Sequence, residues 1–335
     1  MDSPETRISR VIGATLEVSG PEEGLGQVRI APAGSAATRS PGRLLGWWQV
    51  HLPKLMVAPS LAISLVVVYG FMLWTGWISL TTSKVMPTNE WAGLDQYVRV
   101  WANPLWRIAV NNIFIFASLF IGVSVAIGCV LAVLLDQRIR FEGALRTIYL
   151  YPMALSFIVT GTAWKWILNP GLGLEHLVQS MGWTSFQFDW LVNPNYAIYT
   201  LVIAAVWQSS GFVMAMFLAG LRGIDDEIIK AARLDGASMV KVYFRVILPM
   251  LAPTFMTAFV ILTHLSVKSF DLVVALTSGG PANSTQLPAT FMYTQTFARN
   301  NLGVGAASAV MIFMTVAAII VPYLYSEIRR SSHVR

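Results

Sequence analysis

Long apolar runs alternate with short polar stretches along most of this 335-residue chain. Each run is close to or longer than the roughly 20 residues with which an α-helix crosses the hydrocarbon layer of a membrane. The six runs occupy about residues 55–80, 111–135, 146–168, 197–221, 247–268 and 303–326. The pattern predicts an all-α integral membrane protein with six transmembrane helices, and the even number places both termini on the same side.

Composition supports this class, and the distribution of charge orients the chain. Hydrophobic residues make up 55% of it and charged residues 12%, about half the charged fraction of soluble domains. Lysine and arginine number 17 in the terminal segments and the loops on their side, against four in the opposite loops. Because cytoplasmic loops carry the excess of basic residues, the N- and C-termini are predicted to be cytoplasmic. The basic residues are spread over short loops, which argues against a nucleic-acid-binding face.

The chain divides by composition into three parts. Residues 1–52 form a cytoplasmic tail that is predicted to be disordered, because it has too few apolar residues to build a core. Residues 53–326 form the transmembrane domain, with a charged cytoplasmic loop at 222–249, and residues 327–335 form a cytoplasmic C-terminal tail. The single cysteine allows no disulfide within the chain.

The loop at 222–249 is a charged island between two apolar runs, and its first part predicts a short helix. Asp225 suits the N-cap position. Ile224 and Ile229 occupy the two positions of a hydrophobic staple. Gly236 stands where a backbone leaving the helix turns left-handed. A helix of about nine residues is marginal alone in water, so a packed surface must hold it.

The segment KAARLDG, followed by nine residues and VILP, resembles the EAA loop of permease subunits in ABC importers. Lys230 stands where that motif has Glu. The resemblance implies the type I ABC importer permease fold and a coupling helix that docks on an ATPase subunit, with small Ala231 and Ala232 allowing close approach. The ATPase-coupling residues are then Asp225, Glu227, Lys230, Ala231, Ala232, Asp235, Gly236, Leu248 and Pro249. A helix lying on the membrane surface is less favoured, because Ala, Ala and Gly offer little to insert into lipid.

Other stretches, among them WAGLDQYVRVW, TIYLYPMALS and VTGTAWKWILNPGLGL, look like the sugar permeases of the maltose-permease type, especially the glucose and mannose branch. This resemblance covers about residues 53–330. It implies an inner-membrane location and, as partners, a second permease subunit, two ATPase subunits, an extracytoplasmic sugar-binding protein and the sugar itself. No P-loop sequence occurs, so ATP and Mg are expected on the ATPase and no cofactor on this chain. A permease of this class for another sugar, such as an α-glucoside, is the alternative.

Polar residues at membrane depth are costly, and each is a functional candidate by default. Amide and hydroxyl groups can replace water around a sugar, and an indole ring can stack on its apolar C–H face. The candidate substrate pathway comprises Trp207, Gln208, Ser209, Ser210, Gly211 and, in the next run, His264. The same residue types also let membrane helices pack closely. The sequence leaves both interpretations open.

Two rival classes of function remain. A secondary sugar carrier working alone also needs apolar spans, but no internal repeat relates the two halves of the chain. For the second class, a membrane enzyme or scaffold, enzyme chemistry is disfavoured by the scattered histidines, which have no metal-ligand spacing and belong to no arguable Ser-His-Asp set. These histidines are His51, His176, His264 and His333. The EAA-like loop weighs against both rival classes.

Overall fold

The computed structural model describes residues 43–137 and 140–332. Regular structure in these ranges is helical, apart from an isolated antiparallel bridge between Thr81 and Trp91. The helices are α1 Arg43–Ile78, α2 Asp95–Ala102, α3 Pro104–Asp136, α4 Glu142–Ala154, α5 Phe157–Ile167, α6 Leu174–Ser180, α7 Ala197–Arg222, α8 Asp226–Leu234, α9 Met239–Met250, α10 Ala252–Val267, α11 Phe270–Leu276, α12 Pro288–Tyr293 and α13 Leu302–Ser332.

The six predicted crossings are present in the described ranges, but two of them are bent. Helices α1, α3, α7 and α13 are each long and apolar enough to cross a membrane unbroken. The third crossing is α4 followed by α5, with a bend of 101°, and the fifth is α9 followed by α10, with a bend of 62°. Pro152 lies in the last turn of α4 and Pro253 in the first turn of α10. Proline lacks the N–H that a helix interior needs, which favours a break nearby.

The helices at both ends continue past the candidate membrane spans, which are Lys54–Ile78 and Leu302–Tyr325. Helix α1 begins at Arg43 rather than at residue 53, and α13 continues to Ser332 rather than ending at 326. Residues 43–52 of the predicted tail are therefore helical. Flanking residues that favour helix allow a transmembrane helix to continue past the hydrocarbon boundary. The rest of the predicted N-terminal tail, residues 1–42, lies outside the described residues, as do residues 333–335.

The chain divides into two compact units, residues 1–69 and 70–335. In the first unit the described residues, 43–69, are helical. The core of the second unit lies between α3 and α7, with α10 and α11 against them. Its largest buried side chains include Phe116, Phe120, Leu201, Met214, Phe217 and Leu218. Helices α3 and α7 approach so closely that a Cβ on Gly128 would lie 2.6 Å from Val213 Cγ1.

The loop that follows α1 folds over the start of α13 on the predicted extracytoplasmic side. The buried side chain of Gln96 donates from Nε2 to the backbone oxygen of Thr81 at 2.9 Å. The backbone N–H of Gly303 donates to the oxygen of Ser83 at 2.8 Å. The second bond satisfies one of the free N–H groups in the first turn of α13, and the first holds the loop to α2.

Candidate functional site

The predicted short helix in the charged loop is confirmed as α8, nine residues long. Its N-cap is Asp225, whose Oδ1 accepts from the backbone N–H of Glu227 at 2.9 Å. Ile224 and Ile229, the predicted staple, both pack against the main hydrophobic core. That contact supplies the tertiary surface which so short a helix needs.

The C-terminus of α8 ends in a Schellman motif. Gly236 has a left-handed backbone, with φ of 80°. Its N–H donates to the oxygen of Arg233 at 3.0 Å, and the N–H of Ala237 donates to the oxygen of Ala232 at 3.2 Å. This pair of bonds is the one that closes a helix through a left-handed glycine. Both ends of α8 are thus fixed by its own sequence.

Helix α8 presents different residues inward and outward. Ala232 faces the core beside Ile229. Ile228, Ala231 and Leu234 are exposed, and Leu234 is 89% exposed. The two alanines therefore differ in surroundings: Ala232 packs against the core of its own chain, and Ala231 is exposed.

Charged side chains surround the exposed apolar row of α8. The exposed charged residues of this segment are Asp225, Asp226, Glu227, Lys230, Arg233 and Asp235. Lys230 lies one turn after Glu227, and within the described part of the chain no ion pair joins these two residues. An apolar centre with a charged margin is the composition of a protein-docking surface.

Leu248 and Pro249, the last residues of the motif, lie away from α8. Both are in α9, beyond its π-helical turn at Tyr243–Ile247 and just before the 62° bend of the fifth crossing. Leu248 is half-buried and Pro249 is exposed. These two residues therefore lie at the entry of the fifth crossing, and the exposed apolar row with its charged margin belongs to α8.

Most of the candidate pathway residues lie in the middle of α7, and one of them, Gln208, is hydrogen-bonded to the backbone at the break in the third crossing. Its side chain is 5% exposed, and its Nε2 donates to the backbone oxygen of Leu155 at 2.8 Å. Leu155 lies between α4 and α5, where helical bonding stops. Oε1 of Gln208 is buried and has no hydrogen-bond partner within the described residues. The amide nitrogen of Gln208 thus stabilises the bend, and its amide oxygen can still accept a hydrogen bond.

The neighbours of Gln208 differ in exposure. Trp207 is 40% exposed, and its ring meets that of Trp164 edge-on, with the centroids 5.8 Å apart. Ser209 and Ser210 are buried. A Cβ on Gly211 would run into the backbone carbonyl of Tyr149, so only glycine allows this crossing of α4 and α7.

His264, the remaining candidate pathway residue, lies on α10. It is exposed, and within the described residues its side chain has no hydrogen bond to Trp207, Gln208, Ser209 or Ser210. The described ranges also contain no group of three or more His, Cys, Asp or Glu side chains placed to hold a metal ion.

One contact at the cytoplasmic end escaped the sequence analysis. Arg222, the last residue of α7, donates from a guanidinium nitrogen to Glu142 Oε1 at 2.6 Å. Glu142 is the first residue of α4. Arg222 entered the sequence argument only as one of the basic residues that orient the chain. Because Arg222 and Glu142 are 80 positions apart, no local sequence pattern predicts their ion pair.

Comparison with known proteins gives consistent matches over most of the chain. Residues 119–330 match the family described as binding-protein-dependent transport system inner membrane component. A probable ABC transporter permease protein of Pyrococcus horikoshii is 37% identical over 273 residues, covering 81% of this chain and 94% of the relative. The xylose/arabinose import permease protein of Haloferax volcanii is 34% identical over 269 residues, covering 79% of this chain and 84% of the relative.

A solved structure shares the fold. It is a bacterial alginate ABC transporter in complex with an alginate-pentasaccharide-bound periplasmic protein, and the match has a TM-score of 0.71. Identity is 18%, over 83% of this chain and 95% of that chain. At this identity the likeness concerns the fold alone.

Proposed function

The chain belongs to the family of inner membrane components of binding-protein-dependent transport systems, and on that premise we propose that it is a permease subunit of an ATP-driven sugar importer. Its helical fold with six crossings is that of the ABC importer permeases. The observation that carries the proposal is α8, a doubly capped helix with an exposed apolar row at the cytoplasmic end. The chain itself catalyses no bond change, and ATP and Mg bind to a separate ATPase subunit.

The substrate that we propose is glucose or mannose. Support comes from the likeness of the stretches in and around α2, α4 and α5 to permeases of the glucose and mannose branch. The alternative is another sugar, because relatives of this chain are named for different ones: the Haloferax volcanii permease is named for xylose and arabinose. Sugar contact is assigned to Trp207, through its exposed indole face, and to the free Oε1 of Gln208. Gly211, Ser209 and Ser210 serve close packing.

The proposed assembly has four further protein components besides the sugar. A second permease subunit forms the other half of the pore, and two ATPase subunits lie on the cytoplasmic side. A sugar-binding protein delivers the substrate from outside; the solved alginate transporter is described with a periplasmic protein of this kind. Lipid surrounds the crossings.

Coupling in this assembly runs through α8. The row of Ile228, Ala231 and Leu234 docks on an ATPase subunit, and Ile229 and Ala232 fasten the helix to the core. Closure of the ATPase subunits moves α8 and with it the crossings, which favours one access state over the other. Lys230 adds a positive charge to this docking surface where the family motif has a negative one.

Uptake measurements test the function directly. A strain that lacks this gene is given labelled glucose, mannose or an α-glucoside, with and without the restored gene. We expect ATP-dependent uptake of glucose or mannose to return with the gene. If the gene restores uptake of the α-glucoside alone, the substrate is an α-glucoside and the proposal of glucose or mannose is wrong. Gradient-driven transport by the purified chain alone in vesicles would instead support the secondary carrier.

Gly236 gives a mutational test of the coupling helix. Valine at this position should abolish ATP-dependent uptake while the protein stays in the membrane, because a branched residue in a left-handed backbone costs roughly 1–2 kcal/mol or more. Nothing lies within 4 Å of a Cβ placed there, so the cost arises in the backbone. The matched control is Gly236→Asn, since Asn tolerates this conformation; we expect it to retain most uptake. Normal uptake by the valine variant would refute the coupling role.

A further inference from the structure

Helix α7 is buried over most of its first half, and one narrow line along it stays open. In residues 197–211, all of which the structure describes, the exposed residues are Tyr199 and Trp207, and Ile203 between them is half-buried. Steps of four residues keep these three side chains on one face of the helix. The two rings are about 12 Å apart along the axis, at 1.5 Å per residue. The open line therefore has an aromatic ring at each end.

The inner end of this line belongs to the pathway proposed above. Trp207 meets Trp164 edge-on there and precedes Gln208, whose Oε1 has no hydrogen-bond partner within the described residues. The outer end lies at the start of α7, which begins at Ala197 on the predicted extracytoplasmic side. A sugar that arrives from outside thus meets the ring of Tyr199 before the ring of Trp207.

A second group of aromatic rings surrounds the outer end, with Trp190 in contact with all the others. Its ring stacks on that of Phe188, with the centroids 5.1 Å apart, and on that of Tyr196, with the centroids 5.7 Å apart. The ring of Tyr199 is tilted against it at 6.1 Å. Aromatic pairs at these distances attract one another. Trp190 therefore holds the two tyrosine rings, and both tyrosines remain exposed.

The loop that carries Trp190 is itself held by hydrogen bonds from α6. Oε2 of Glu175 accepts from the backbone N–H of Phe188 at 3.2 Å. Nε2 of Gln179 donates to the backbone oxygen of Phe186 at 2.8 Å. The rings are thus placed before any ligand arrives, which lowers the conformational cost of binding one.

Polar groups that can bind hydroxyls lie beside these rings. Asp189 precedes Trp190, is exposed and forms no ion pair with another described residue. Its Oδ2 accepts from Asn193 Nδ2 at 3.3 Å, and its Oδ1 has no hydrogen bond within the described residues. The phenol oxygens of Tyr196 and Tyr199 also have no hydrogen-bond partner in that part of the chain. A carboxylate accepts hydrogen bonds and a phenol both donates and accepts them.

A sugar fits this combination better than lipid does. A pyranose offers an apolar C–H face to an aromatic ring and hydroxyl groups to its polar neighbours. Hydrocarbon chains would leave the carboxylate of Asp189 and both phenols without partners, which is costly. The open line also continues from Tyr199 to Trp207, the residue to which sugar contact is already assigned.

We propose that Tyr196 and Tyr199, with Trp190 packed against them, form an outer sugar subsite in which a hexose is held before it reaches Trp207. The sugar stacks on a tyrosine ring, and its hydroxyls bond to Asp189 and to the phenols. This proposal rests on the proposed function and adds a second sugar-binding place, about two helical turns outside the first.

Chemical labelling between the two rings tests this subsite. The chain carries Cys129→Ser and Ile203→Cys, and the importer of permease and ATPase subunits is reconstituted in vesicles without the binding protein, which would shield the cysteine. A charged maleimide that does not cross membranes is added, with or without the sugar whose uptake the wild-type importer supports. We expect labelling without sugar. Sugar at about four times the Kd of the subsite should slow it about fivefold, by the factor 1 + [L]/Kd.

Ring variants show whether the outer rings cause the protection. Ring contacts contribute about twofold to tenfold in affinity, so Tyr199→Ala in the cysteine chain should reduce the protection to less than about twofold. Tyr199→Phe keeps the ring and should keep most of it. The matched control is Trp183→Ala, an exposed aromatic residue of the same loop whose ring contacts that of Phe186; it should retain the full protection.

The outer subsite and the proposed function fail in different ways. If the wild-type importer transports none of the test sugars, the proposed function is wrong. If it transports sugar but the cysteine is not labelled, lipid or the second permease covers the line and the subsite is wrong. Protection that survives Tyr199→Ala also overturns the subsite, and its loss with Trp207→Ala would assign the sugar to the inner ring alone. If Ile203→Cys assembles poorly, Asn195→Cys, exposed beside Tyr196, replaces it as the labelled position.

Discussion

Helices α1 and α7 are similar in hydropathy and opposite in burial. The crossing within α1, Lys54–Ile78, has a mean hydropathy of 2.1, and that of α7, Ala197–Arg222, has 1.8. In their most apolar 18-residue windows, none of the α1 residues is buried and 72% of the α7 residues are. Hydropathy therefore identifies both as crossings and does not distinguish a buried helix from an exposed one.

The residue sizes in the two helices account for the difference. The central part of α7 has Ala204 and Ala205 followed by Ser209, Ser210 and Gly211, all buried or packed. The same part of α1 has a run of large exposed side chains at residues 65–69. Lipid tails are as apolar as leucine, so close packing of small residues, and not apolarity, brings membrane helices together. The surface of α1 suits lipid chains.

The largest predicted effect comes from placing the same substitution in each helix. Gly211→Val should prevent stable folding, because its side chain would enter the backbone of Tyr149, and overpacking alone costs about 1–3 kcal/mol. Gly76→Val in α1 should be tolerated, since a Cβ there meets nothing within 4 Å. The measurement is the yield of folded protein from membranes and its thermal unfolding in detergent. Equal yields of the two variants would contradict the assigned packing.

A smaller effect is expected where α3 meets α7. Gly128→Ala places a methyl group 2.6 Å from Val213 Cγ1 and 2.9 Å from the backbone nitrogen of Met214, so we expect a loss of about 1–3 kcal/mol of stability. The side chain of Val213 accounts for part of the clash. Adding Val213→Ala to Gly128→Ala should therefore recover part of the loss in thermal unfolding. Full stability of the single variant would show that the helices lie further apart.

The smallest effect is expected at the hydrogen bond in the middle of α7. Gln208→Ala removes the donor to Leu155, and interhelical bonds of this kind are worth about 0.6–2 kcal/mol. The control is Thr75→Ala in α1, whose hydroxyl donates to Phe71 of its own helix at 2.8 Å; its effect should be near zero. Thermal unfolding checks both variants. A raised KM for sugar with unchanged stability would instead assign Gln208 to sugar contact alone.

Much of α8 could be predicted from neighbouring residues. The cap at Asp225 and the left-handed Gly236 depend on groups within a few positions of one another, and both are present. The separate directions of Ala231 and Ala232 could not be predicted, because they depend on which side of α8 meets the core. The local sequence determines where a helix begins and ends. The side of the helix that is buried depends on the element against which it packs.

The sequence alone determined the apolar segments that form the crossings and the short capped helix between the fourth and fifth. These features follow from hydropathy, charge and capping, which act over one helix or less. The tertiary structure decided that α7 is central, that the third crossing bends at Leu155, and that α4 and α7 form a pair. Its contacts join residues 53 and 80 positions apart, at Leu155–Gln208 and Glu142–Arg222. In a membrane, where every crossing is apolar, only such distant contacts decide which helices meet.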